Sequence, residues 1–261
     1  MDEINKTNRV RWNALAKANV EYSRPFFQFT LEDASRYVYR HGILQDVKDK
    51  EVLCLASSGG QDSVAFGLLG ASVTVLDLSD VQLQRDQEGA VHHGLHTKCI
   101  QGDIRDLSVF SENQFDIVWQ VYSINFVPTV ELVISGIRRI LKPGGIYHLQ
   151  FANPFTMAVD EDKWDGQAYP LESLYIEGED LSNRFPTWDV DQPDGGSIKC
   201  DSPHEFRHKL STLLNTIIDS QFILLGLWEW MKQDVNPMPG TWAHYTQVAP
   251  PWFSTFWRLE K

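Results

Sequence analysis

A chain of 261 residues, 43% of them hydrophobic, is long enough for one large core with room for a subdomain. Its 35 acidic residues outnumber 23 basic ones, and a formal net charge of −12 repels polyanions, which argues against DNA or RNA as a partner. No apolar run approaches the roughly 20 residues of a membrane span, so no membrane partner is expected, and the polar start MDEINKTNRVRWN does not read as a secretory signal.

Three cysteines, Cys54, Cys99 and Cys200, are too few and too scattered for a disulfide framework. Cys54 and Cys99 fall inside apparent strands as small hydrophobes. The count suits a reducing compartment, and the expected location is cytoplasmic.

The first segment is mainly helical. Val10, Ala14, Leu15 and Ala18 recur at helical spacing over residues 10–20, and Tyr22, Pro25, Phe26, Phe27 and Phe29 follow as an aromatic connection. Thr30, with Asp33 three residues on, predicts the capped start of a second helix that ends near His41–Gly42. Residues 1–44 could fold over a ligand as a lid, with Tyr22 the lid residue, or could simply cover a sheet edge.

The stretch EVLCLASSGGQDS, residues 51–63, organises the chain. Val52 to Ala56 is an uninterrupted apolar strand, Ser57 to Gly60 a turn of small residues, and Val64, Ala65, Leu68 and Leu69 begin a helix. Strand, small-residue turn and helix open a doubly wound α/β domain, whose ligand sits beyond the carboxyl ends of the strands. Small side chains there let a ligand approach the backbone.

ASVTVLDL predicts a second buried strand ending on Asp77. An acidic side chain about 20 residues past the first turn is placed to accept both hydroxyls of a ribose; capping the next helix is the alternative, but Ser79 can do that. His92, His93 and His96 stand where that helix meets solvent, and the helix dipole accounts for them without a metal; none is expected. Residues 97–100 form a third strand followed by Asp103, where a carboxylate can accept from a purine amino group or cap a turn. FDIVWQV is a fourth strand whose end, Tyr122 to Phe126, should line the same mouth. A helix over 130–141, the turn Lys142–Pro143–Gly144–Gly145 and a fifth strand over 146–151 follow.

In order and spacing, VLCLASSGGQDS, TVLDLS, GDIRDL, FDIVWQV and RRILKPGGIYHLQF resemble the class I S-adenosylmethionine-dependent methyltransferase family over residues 45–152. The resemblance implies a Rossmann-like, doubly wound seven-stranded α/β sheet, order 3-2-1-4-5-7-6 with strand seven antiparallel. It implies S-adenosyl-L-methionine as cofactor. Ala56, Ser57, Ser58 and Gly60 would face its methionine part, Asp77 with Leu78 its ribose, Asp103 and Ile104 its adenine, and Gln120 and Val121 would lie beside it. One departure stands out: of the family's three spaced glycines in the first motif, only Gly60 remains, with Ala56 and Ser58 at the other two positions.

Residues 153–203, rich in Trp, Tyr, Pro and Asp, are too long for a plain loop and are expected to cap the substrate. The core then resumes over 204–261: a helix over 206–220, the strand FILLGLWEW, a second aromatic excursion, and a closing strand over 252–259. Most of the nine tryptophans fall after residue 118, which suggests an aromatic-walled pocket for a flat ring or a cation. Asn125, Phe126, Asn153, Trp164 and Trp242 are the candidate substrate residues, with His208 and Asn125 as candidate catalytic groups; His148, mid-strand, reads as a core residue.

The expected activity is methyl transfer to nitrogen or oxygen of a small, aromatic or amine-containing metabolite by a monomer or homodimer. A non-catalytic S-adenosylmethionine-binding protein, or one using it for another chemistry, is the alternative. An NAD-dependent oxidoreductase fits poorly because a full G-x-G-x-x-G is missing.

Overall fold

The computed structural model describes residues 2–56, 58–192 and 195–260. Five strands of the expected α/β alternation form first: β1 Glu51–Leu55, β2 Ser72–Asp77, β3 Thr97–Gln101, β4 Phe115–Val121 and β5 Leu141–Ala152. The intervening helices are α3 Gln61–Leu68, α4 Asp80–His92 and α5 Glu131–Ile140, and α1 Glu3–Lys17 and α2 Leu31–Val38 precede β1. After β5 come the short strands β6 Glu179–Asp180, β7 Thr187–Asp191, β8 Ser197–Asp201 and β9 Phe206–Arg207. Helix α6 Leu210–Asp219, β10 Phe222–Trp230, α7 Trp242–Val248 and β11 Trp252–Leu259 complete the chain.

The main sheet has seven strands in the order β3-β2-β1-β4-β5-β11-β10. Neighbours from β3 to β5 pair in parallel, and β11 runs antiparallel to both β5 and β10. This is the predicted order, with β10 and β11 as the sixth and seventh main strands.

Both faces of the sheet are covered, which explains the unbroken apolar runs. Alternate residues of β1 point to opposite sides. Leu53 and Leu55 join Val118, Leu149 and the apolar faces of α5 and α6. Val52 and Cys54 join Val75, Trp119, Phe66 of α3, and Ala34 and Val38 of α2. His148 is fully buried on this second side, stacked 3.6 Å from Trp119, with Nε2 3.0 Å from Ser254 Oγ. Burial holds its pKa well below the ordinary histidine value.

Three elements differ from their predicted bounds. Helix α1 begins at Glu3, capped by the Asp2 carboxylate accepting from Asn5 N–H at 3.0 Å; its first half has no apolar stripe, so periodicity revealed only the second. The KPGG segment lies within β5: Gly144 takes φ +76° and the pairing slips between Phe115↔Leu141 and Ile117↔Ile146, an irregularity a glycine accommodates. Helix α6 starts at Leu210, because Phe206 and Arg207 pair with Glu179 and Asp180.

The segment after β5 builds a small outer layer. The β7–β8 hairpin packs against α1 through a third apolar cluster of Leu15, Val20 and Val190, with Trp12, Trp188 and Cys200 at its margin. Among the described residues, no helix is long and apolar enough to cross a membrane.

Candidate functional site

A cavity of about 570 Å³ opens beyond the carboxyl ends of β1, β2 and β4, between them, α1 and the β7–β8 hairpin. Ligand pockets fall in the range of about 300–1,000 Å³. Its floor is the first turn. Ala56 N–H donates to Leu76 O at 2.8 Å, and Ala56 and Ser58 adopt φ of +55° and +53°. Left-handed backbone costs a non-glycine residue about 1–2 kcal/mol, and here it is held by the strand before it and α3 after it.

Gly59 and Gly60 are required where they stand. Gly59 N–H donates to Tyr22 O at 2.9 Å, and a Cβ on Gly59 would overlap the Arg24 carbonyl oxygen. Gly60 caps α3 at φ +89° with the Asp86 backbone 3.1 Å from where its Cβ would be. The connection after α1 is thereby strapped across the turn and brings the Tyr22 ring to the cavity wall. Asp62, next in the motif, faces the second core instead. It accepts from Tyr37 Oη at 2.6 Å and Trp119 Nε1 at 3.1 Å, and burial pushes its carboxyl up to about 6.

Asp77 lies 6% exposed at the end of β2 and lines the cavity. Ser79 N–H donates to its Oδ1 at 2.7 Å. Burial still dominates and pushes the carboxyl up to about 7. Gln82, on the first turn of α4, lines the same wall, and its buried Oε1 has no hydrogen-bond partner among the described residues. A buried acceptor left unpaired costs about 1–3 kcal/mol. An unpaired amide oxygen beside a buried carboxylate suits the hydroxyl and amino donors of a nucleoside, so the residues present fit the nucleoside end of S-adenosylmethionine.

Asp103 is already engaged. Arg105 donates to both of its oxygens, with Nη2 2.8 Å from Oδ2, and Asn5 Nδ2 reaches the same carboxylate. Arg105 Nη1 also binds Asp2 at 2.8 Å. Helix α1 is thus tied to the end of β3 through a carboxylate at the cavity edge. Further along α1, Asn8 Nδ2 donates to Phe126 O and His204 O, both at 3.2 Å. Asn5, Asn8 and Trp12 lie three and four residues apart and form one cavity-lining stripe.

The structure brings Tyr22, Ala56, Ser58, Asp77, Leu78, Asp103, Ile104, Val121 and Phe126 into one lining. Ser57 lies outside the described residues. Gln120 sits behind the wall, donating to Ser123 Oγ at 3.0 Å and accepting from Tyr147 Oη at 2.7 Å. The remaining candidates are placed elsewhere. Asn125 is buried, accepting from Ala152 N–H at 3.0 Å. His208 is also buried, its Nε2 3.0 Å from Val127 O and its Nδ1 3.3 Å from Glu177. Asn153 fixes a turn through Pro250 O and Phe155 N–H. Trp164 packs on Tyr169 and His244, and Trp242 on Tyr245 and Trp252.

Tyr122 and Ser123, from the end of the fourth strand, line it as expected, whereas Trp12, Gln150, Glu161, Trp188, Asp189 and Trp252 had not been singled out. Tyr122 holds φ +62° directly after β4, and its hydroxyl donates to Glu205 at 2.5 Å. Desolvation pushes the Glu205 carboxyl up to about 7. Two signals pointed to this part of the lining: the tryptophan-rich segments after β4, and the spacing of Asn5, Asn8 and Trp12 in the stripe that Leu15 continues.

The family described as "Methyltransferase domain" matches residues 53–149, from β1 to β5. An uncharacterized methyltransferase, YbaJ of Bacillus subtilis, is 35% identical over 185 residues, covering 70% of this chain and 69% of that protein. A sterol 24-C-methyltransferase of Gibberella zeae is 29% identical over 227 residues, 86% of this chain, which spans about half (51%) of that longer relative. Among solved structures, an S-adenosylmethionine-dependent methyltransferase from Mesorhizobium loti superposes with a TM-score of 0.64 at 19% identity, covering 88% of this chain and 100% of its own. Sequence and fold together show that the chain belongs to the class I S-adenosylmethionine-dependent methyltransferases.

Proposed function

We propose that the protein transfers a methyl group to a nitrogen or oxygen atom of a small, aromatic or amine-containing acceptor. One observation carries this reading: a single cavity is lined both by the nucleoside-type acceptors Asp77 and Gln82 and by the aromatic rings of Trp12, Tyr22, Phe126 and Trp188. Bound S-adenosylmethionine supplies a sulfonium methyl that an acceptor takes by in-line displacement.

The chain's own residues then bind and align. Asp77 and Gln82 receive the ribose and adenine donors, with Leu78, Asp103 and Ile104 beside them. The turn from Ala56 to Gly60 and the strap carrying Tyr22 hold the methionine part, and Val121 closes the floor, backed by Gln120. Residues 1–44 act as the lid and 153–203 as the cap, since Trp12 and Tyr22 on one, and Glu161, Trp188 and Asp189 on the other, meet over the cavity. Enclosing both partners turns a bimolecular step into an oriented one, worth up to about 7–11 kcal/mol of barrier. His208 and Asn125, bonded in the interior, have no proton-transfer role in this scheme; the Tyr122–Glu205 pair is a titratable group beside the aromatic rings.

Calorimetric titration with S-adenosylhomocysteine tests the cofactor half, with NAD as control. Binding of the former alone is expected, falling at least about a hundredfold in Asp77→Ala, since hydrogen bonds to a charged acceptor contribute roughly 1.5–3 kcal/mol each. Incubation with methyl-labelled S-adenosylmethionine and a pool of small amines and phenols tests the transfer half. Binding without label transfer to any of them would favour a non-catalytic binding protein.

A further inference from the structure

The geometry points to a cation-binding cage formed by the aromatic rings of the cavity, which selects a methyl acceptor that carries an ammonium group. The methyl passes to a separate neutral nitrogen or hydroxyl oxygen of that acceptor as its bond to sulfur breaks, and the proton displaced there goes to solvent. This rests on the function proposed above and narrows it to one acceptor class.

Trp12, Tyr22 and Trp188 all line the cavity and meet nearly at right angles to one another. Their ring centroids are 6.0, 5.9 and 6.5 Å apart, with interplanar angles of 71°, 79° and 79°. Three mutually perpendicular rings form the corner of a box. Phe126 extends it, 4.9 Å from Trp12 at 80°. The rings come from α1, the strap, β7 and the segment after β4, so this corner exists only when lid and cap meet. Aromatic faces carry negative potential and attract ammonium groups within about 6 Å of the ring centroid.

Charge points the same way. Among the described residues no lysine, arginine or histidine lines the cavity, whereas Glu161 and Asp189, both exposed to solvent, do, and neither makes an ion pair. A neutral flat acceptor would need the rings but would gain nothing from two carboxylates with no cation. An acceptor with a protonated or quaternary ammonium group beside its methylated atom uses both. Asp103 is neutralised by Arg105, which leaves Asp77, Glu161 and Asp189 as the lining carboxylates with no ion pair among the described residues.

Choline and its neutral isostere 3,3-dimethylbutan-1-ol are a matched probe pair that differ in charge and not in shape. Each is titrated calorimetrically into the free protein and into its S-adenosylhomocysteine complex. The expected result is that choline binds the complex at least tenfold more tightly than the isostere. Trp188→Leu should abolish that preference and Asp189→Asn reduce it, each ratio of choline to isostere being read on the variant saturated with S-adenosylhomocysteine. Equal binding of the pair, or binding of neither, overturns the cage and leaves the cofactor site standing. Choline binding that S-adenosylhomocysteine displaces also overturns the proposal, because the rings then belong to the cofactor. Failure of S-adenosylhomocysteine to bind, with choline still bound selectively, keeps the cage and removes the transferase reading instead.

Discussion

A carboxylate buried at a strand end is comfortable in its charged form only when enough donors face it. Asp77 receives a backbone N–H from Ser79, yet burial leaves its carboxyl up at about 7. Ribose hydroxyls add donors, and donors favour the ionised form. Bound ligand therefore pulls the carboxyl pKa down, and below pH 7 binding must expel a proton. Affinity for S-adenosylhomocysteine should rise as pH increases from 5.5 to about 7, by up to tenfold per unit, and level off above. Calorimetry at pH 6 in two buffers of different ionisation enthalpy should register proton release approaching one, and Asp77→Asn should remove it. A flat profile in the wild type would mean that Asp77 is not the ribose acceptor. Asp77 was legible in the sequence because a strand end and a fixed offset from the first turn locate it. Gln82 was not: a glutamine inside a helix carries no pattern that separates a ligand contact from a solvated side chain, and only its unpaired oxygen at the cavity reveals it.

The strap after α1 crosses the first turn by backbone contact. Gly59 N–H binds Tyr22 O, and the Ser23 and Arg24 backbone lies against the glycine's open side. A methyl group there meets backbone atoms that cannot rotate away, so Gly59→Ala must lift the strap and carry Tyr22 off the cavity wall. Overpacking of this kind costs about 1–3 kcal/mol. Thermal denaturation should show that loss, and S-adenosylhomocysteine affinity should fall with it. A lower melting temperature with unchanged affinity would make the strap packing alone. The βα units that carry the floor were readable because their signals are local: an apolar run, small residues, a helical period. What closes over the floor was less readable. Helix α1 buries Asn5 and Asn8 on the stripe where a helix normally buries leucine, so its first half looks like a solvated helix until the Asp103 carboxylate and the Phe126 carbonyl are seen facing it. Likewise Phe206 and Arg207 read as the start of a helix because their strand partner lies 26 residues or more away in the chain.

Across the whole molecule, the proposed lid and cap share an apolar cluster distinct from the two cores that sandwich the sheet. Leu15 and Val20 come from the N-terminal segment and Val190 from the β7–β8 hairpin, all nearly or fully buried. The ion pairs of α1 with the rest, Arg9 to Asp80 at 3.1 Å and Arg105 to Asp2 at 2.8 Å, are partly exposed and contribute about 0–1 kcal/mol each, whereas the buried Asn5 and Asn8 hold only its first half. The shared cluster therefore carries much of the closure. Large-to-small changes at buried leucines cost about 2–5 kcal/mol, and a satellite cluster can open without the sheet unfolding. Leu15→Ala should raise amide hydrogen exchange together in residues 3–17 and 187–201, while peptides from β1 and β4 keep their protection. Release of S-adenosylhomocysteine should quicken by about tenfold or more, as the wall formed by Trp12 and Trp188 loosens. Loss of protection throughout the sheet would show that the third cluster is continuous with the cores. Faster exchange in α1 alone would show that lid and cap move independently, and then the corner of Trp12, Tyr22 and Trp188 could not act as one enclosure.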